Sequence, residues 1–103
     1  MESFKPGSRW RSTVCSTEIA IVRPPNRTIE LSCGGRNMIS LSAARLADES
    51  IVAEFSLGTQ LGKRYADVDS GLEVLCTKGG VGTLSVEGRM LTQKEAKRLP
   101  SSD

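Results

Sequence analysis

Apolar and polar positions alternate in short runs along most of this chain, the period-two pattern of half-buried β-strands. Residues 10–14 read as a first strand, with Trp10, Ser12 and Val14 on one face and Arg11 and Thr13 on the other. Residues 17–23, "TEIAIVR", are β-branched and apolar and suit a second strand. Pro24 and Pro25 then break the ladder, because neither can donate a backbone hydrogen bond. Residues 28–32 alternate again, Ile29 and Leu31 to one side and Thr28, Glu30 and Ser32 to the other. Gly34 and Gly35 end that strand directly after Cys33, and residues 38–41 suit a further short strand.

The last third predicts a strand over 72–77, a "KGG" turn, a strand over 83–86, an "EG" turn and a strand from Met90, together a three-stranded meander. Between these parts the pattern weakens. Ser42 can cap a helix and good helix formers follow it, so one or two helical turns and an irregular connector both fit the segment. Residues 96–103 read as a polar tail. The expectation is a single all-β domain, a small barrel or sandwich. It divides into an N-terminal β-unit (about 7–41), a connector (42–61) and a C-terminal meander (62–95). Neither half buries much alone, so the two are expected to pack together.

Composition narrows the function classes. The chain has 103 residues, 38% hydrophobic and 25% charged, an ordinary globular balance with room for a modest core. Aromatic residues are only 4%, so that core is expected to be aliphatic. The net charge of +2 is spread among acids, with no aromatic stacking platform, which argues against a nucleic-acid partner. No apolar run approaches the ~18 residues of a membrane span. The opening "MESFKPGSRW" lacks the apolar stretch of a secretory signal. A cytosolic address is therefore expected, and with it reduced cysteines.

Most candidate chemistry has a plainer explanation. "GGVGTLS" lacks the Gly-Lys-Ser/Thr ending of a phosphate loop and precedes a strand, so a hairpin turn is expected there. Asp67 and Asp69 lie in a turn-forming stretch, "YADVDSG", that is usually only solvated. The chain has no histidine to activate Ser12, Ser16, Ser32 or Ser85, and acid–base work would fall to carboxylates, lysines or Tyr65. Cys76 shares a face with Leu72 and Val74 and is expected to be a core thiol.

Cys15 and Cys33 remain. Segment 7–38 resembles the desulforedoxin-like, rubredoxin-related domain, also found at the N-terminus of some superoxide reductases. Gly7, Trp10, Cys15, Val22, Leu31, Cys33, Gly34 and Met38 fall in corresponding places of that pattern. The resemblance implies metal ligation at Cys15 and Cys33, but the first ligand of each pair is here a serine, Ser12 and Ser32. Two thiolates cannot build a four-thiolate centre within one chain. Three readings stay open: small packing thiols, zinc or iron held either weakly with solvent or by thiolates pooled across a homodimer, or a reversible disulfide between turns that the resembled fold brings close.

The function expected from this degenerate site is a non-catalytic accessory module of the bacterial cytosol that docks another protein. Trp10, Ser12, Ser32, Gly34 and Met38 are the candidate partner surface, with core filling as the competing role of Trp10 and Met38. The alternative is a metal- or thiol-based redox protein using Cys15 and Cys33. No cofactor is expected in a single chain, and neither nucleic acid nor membrane is an expected partner.

Overall fold

The computed structural model describes residues 4–43 and 50–94. The helical turns considered after Ser42 fall mostly on residues outside that range, as does the polar tail. Among the described residues ten short strands form two antiparallel sheets, and the fold is all-β. They are β1 (Arg9–Arg11), β2 (Glu18–Arg23), β3 (Leu31–Cys33), β4 (Arg36–Asn37), β5 (Ile39–Ser40), β6 (Arg64–Ala66), β7 (Glu73–Lys78), β8 (Leu84–Val86), β9 (Arg89–Met90) and β10 (Thr92–Lys94). A six-stranded sheet has the order β10-β6-β7-β2-β1-β5, and a four-stranded sheet the order β4-β3-β8-β9.

Alternation decides what goes inside. Ile19 and Ile21 of β2, Val74 and Cys76 of β7, Leu31 and Cys33 of β3, and Leu84 and Val86 of β8 are all buried. Trp10, Ile29, Met38, Tyr65, Leu72 and Leu91 complete this core, which is chiefly aliphatic as the composition implies.

Two expectations need correction. The strand expected over 10–14 stops at Arg11, because the Ser12 hydroxyl accepts hydrogen bonds from the amides of Val14 (3.0 Å) and Cys15 (3.1 Å) and turns the chain. The three C-terminal strands do not form one meander. β7 pairs with β2 and β6, the β8–β9 hairpin joins β3 in the other sheet, and β10 returns to β6. Residues 79–83 are therefore a crossing between sheets rather than a hairpin turn. β6, which the reading of the sequence did not include, is the strand that makes this arrangement work.

The two halves repeat one another. Arg9, Trp10 and Arg11 pair with Ala20, Ile19 and Glu18, while Arg64, Tyr65 and Ala66 pair with Leu75, Val74 and Glu73, every number larger by 55. Ser32 opposite Asn37 and Cys33 opposite Arg36 are matched by Ser85 opposite Met90 and Val86 opposite Arg89, larger by 53. The shorter β7–β8 crossing accounts for the difference. Both sheet orders read as palindromes under this match, which is the mark of a pseudo-two-fold axis. The axis passes between Ala20 and Leu75 in one sheet and between Ser32 and Ser85 in the other. The halves are thus joined along both central seams, β2–β7 and β3–β8.

Candidate functional site

Cys15 and Cys33 come together. Cys15 lies in the turn between β1 and β2, Cys33 ends β3, and their Sγ atoms are 3.8 Å apart, both as thiols. The turn is held closed by the Ser12 amide donating to the Thr17 carbonyl at 2.9 Å. This places the Ser12 and Thr17 side-chain oxygens 3.3 and 3.2 Å from Cys15 Sγ. The 79–83 crossing lies against the pair. A Cβ on Gly80 would come within 3.0 Å of Cys15 Sγ, and one on Gly82 within 2.9 Å of Cys33 Sγ and 3.1 Å of Cys15 Sγ. Only a glycine backbone fits so close to the two sulfurs.

The two thiols are chemically unlike. Partial burial pushes the Cys15 thiol up, but hydrogen bonds from the Ser12 and Thr17 hydroxyls and from the backbone of Thr17 and Gly82 outweigh it and bring its pKa down to about 7. Burial pushes Cys33 the other way, and the neighbouring Cys15 charge adds to it, to about 12. Cys15 therefore ionises first, and Cys33 keeps its proton and can donate it to the Cys15 sulfur. Cys15 is half-buried, whereas Cys33 is fully buried.

The other half of the repeat shows what the thiol site is built from. In the matching turn the Asp67 amide donates to the Leu72 carbonyl at 2.9 Å, and Ser70 Oγ donates to Asp67 Oδ2 at 2.7 Å. Ser70 stands where Cys15 stands and Asp67 where Ser12 stands. The Arg89 guanidinium closes that second turn on Asp67 at 3.0 Å. Asp67 is thus a buried structural anchor rather than a solvated loop acid.

The remaining candidates are dispersed. Ser32 neighbours Cys33 in a strand, so its side chain faces the opposite side, where its hydroxyl donates to Asn37 Oδ1 at 3.0 Å. Trp10 and Met38 fill the core, each 6% exposed, and Ser12 and Gly34 are buried as well. Those four do not offer a docking surface, because their side chains or backbone are packed inside this chain. Cys76 is a core thiol, 1% exposed, donating to the Lys78 carbonyl at 3.2 Å.

A tetrahedral metal centre does not fit these residues. Among the described residues no group of three or more His, Cys, Asp or Glu side chains is placed to hold an ion. Ser32 faces away, the Ser12 oxygen is already engaged by two amides, and Cys33 is too deeply buried to meet thiolates of a second chain.

A groove of about 350 Å³ lies beyond Gly80, lined by Leu57, Thr59, Tyr65, Gly80, Met90 and Gln93 among others. The Tyr65 hydroxyl accepts a hydrogen bond from the Gln60 amide at 2.9 Å, and neither Asp67 nor Asp69 reaches the groove, so no carboxylate site forms there. Among the described residues no helix is long and apolar enough to cross a membrane. No family model matches the chain, and no curated protein and no solved structure matches it either.

Proposed function

We propose that the protein is a thiol–disulfide redox protein in which Cys15 and Cys33 are the two halves of one reversible couple. The single observation that carries this reading is the 3.8 Å contact between a half-buried, acidified thiol and a buried, protonated one. The half-buried member supplies the nucleophile and the fully buried member resolves what it forms, closing a short distance to the ~2.05 Å of a disulfide.

The test is oxidation of the reduced protein with diamide, followed by mass spectrometry and alkylation under denaturing conditions. The parent is expected to lose two hydrogens and to protect Cys15 and Cys33 from alkylation. Cys76→Ser is expected to behave likewise, and Cys33→Ser to form no intramolecular bridge. A parent that keeps all its hydrogens and alkylates at both sites overturns the reading.

Docking of another protein is the second reading, favoured by Leu57, Leu61 and Val81, which are 78%, 67% and 62% exposed on and beside the crossing that covers the thiols. A cytosolic setting, where such a couple rests reduced, belongs to the same proposal.

A further inference from the structure

The surroundings of Cys15 also bear on which oxidant closes the couple. Five groups crowd its sulfur: the Ser12 and Thr17 hydroxyls, the Cys33 thiol and the backbones of Gly80 and Gly82. Two of those neighbours are hydroxyls that accept from the Cys15 thiol at 3.3 and 3.2 Å and can donate to its sulfur once the thiol ionises. We propose that the physiological oxidant of this pair is a small hydroperoxide, and that Ser12 and Thr17 position and protonate its departing oxygen. The inference rests on the dithiol couple proposed above and names its substrate class.

Two arguments favour a hydroperoxide over a disulfide substrate. The first is space. Exchange with a disulfide leaves a second sulfur and its carbon chain attached to Cys15, in surroundings where a single Cβ on Gly80 or Gly82 would already be too close. Oxidation by a hydroperoxide leaves one oxygen atom.

The second is the proton on Cys33. Resolving a mixed disulfide leaves only a departing thiolate, a much weaker base than hydroxide, to take the proton of the fully buried Cys33, and the chain has no histidine to help. Resolving a sulfenic acid needs no separate base, because the hydroxide that leaves Cys15 takes the Cys33 proton with it as water.

The steps balance. The Cys15 thiolate attacks one peroxide oxygen, a sulfur–oxygen bond forms, the oxygen–oxygen bond breaks, and the second oxygen leaves as hydroxide, protonated through the Ser12 or Thr17 hydroxyl. Cys33 Sγ then attacks Cys15 Sγ, the sulfur–sulfur bond forms, and water departs. Two thiols and one hydrogen peroxide become one disulfide and two waters.

The experiment compares hydrogen peroxide with oxidised glutathione on the reduced protein at neutral pH, with diamide as the control oxidant. Disulfide closure by peroxide is expected to be at least ~10-fold faster than by oxidised glutathione, and Cys33→Ser to accumulate a dimedone-reactive sulfenic acid at Cys15. Thr17→Val is expected to slow the peroxide reaction, and Thr17→Ser to restore it. If diamide closes the bridge but peroxide is no faster than oxidised glutathione, the hydroperoxide assignment falls and the couple stands. If Thr17→Val folds and reacts with peroxide as the parent does, the role of Thr17 falls. If diamide itself closes nothing, the couple falls first.

Discussion

Gly82 lies directly over Cys33, so close that a methyl group added to it would come 2.9 Å from the Cys33 sulfur. The position is defined by what it lacks. Gly82→Ala must push the crossing away from both thiols, at a cost of about 1–3 kcal/mol for overpacking. The Gly82 backbone is one of the groups that lowers the Cys15 pKa. The alkylation midpoint of Cys15 is therefore expected to rise in this variant, alongside a lower denaturation midpoint in urea. A variant with unchanged stability and unchanged alkylation would show that the crossing does not press on the pair.

The two thiols should separate cleanly in a pH titration. Cys15 is expected to reach half-maximal alkylation by iodoacetamide near pH 7, and Cys33 to stay unreactive in the native protein until strongly alkaline pH. The effects on stability have opposite signs. The folded value of Cys15 is depressed, so its contribution grows as pH rises through about 7 and is complete above the unfolded thiol value near 9. That of Cys33 is raised to about 12, so stability falls between about 9 and 12, where only the unfolded chain ionises. Urea denaturation across pH 6–11 reads both, and Cys33→Ser should remove the alkaline decline attributable to this thiol.

The matched hairpins supply an internal control. Gly34 and Glu87 occupy the same turn position, with φ of +67° and +51°. At Gly34 an added Cβ would meet Val14 Cγ2 at 2.6 Å, whereas the Glu87 side chain reaches out to Arg27 at 2.9 Å. Gly34→Ala combines left-handed backbone strain with a clash and should cost about 2 kcal/mol or more. Glu87→Gly relieves the same strain while losing an exposed ion pair, so its effect should stay within about 1 kcal/mol of zero. Thermal melts of the two variants check the contrast, and equal losses would refute it.

Acid should act through Asp67. Burial raises this carboxyl, but hydrogen bonds from Arg89 and Ser70 together with the Arg89 charge outweigh it, and its pKa is held below the usual carboxylate range. Its contribution is present above the unfolded carboxyl value and is lost as pH falls through the folded one. Asp67→Asn should cost about 1–3 kcal/mol at neutral pH and give a flatter loss of stability toward pH 3 than the parent. Parallel curves would mean that the anchor carries no acid sensitivity.

The sequence and the structure agree on some elements and part on others, for physical reasons. The strand at Glu18–Arg23 and the turn at Glu87 and Gly88 were legible because both signals are local: a β-branched run and a glycine. The destination of β7 was not, since a glycine-rich stretch serves a hairpin and a crossing between sheets equally well. The repeat was hidden by the two-residue shortening of the β7–β8 crossing and by exchanges such as Trp10 for Tyr65 and Ser12 for Asp67.

Cys15 and Cys33 were identifiable as candidates, but their unlike acidity depends on Thr17 and on the distant Gly82 backbone. The separation of Ser32 from the site could have been read from parity alone, because adjacent strand residues face opposite sides.

The axis between the halves has a bearing on how the molecule holds together. Every contact across β2–β7 and β3–β8 belongs to both repeats at once. The molecule is in effect a pair of subunits within one chain. One subunit keeps the reactive sulfurs; the other, with Ser70 and an Arg89–Asp67 clasp in the same places, is free to specialise in staying shut.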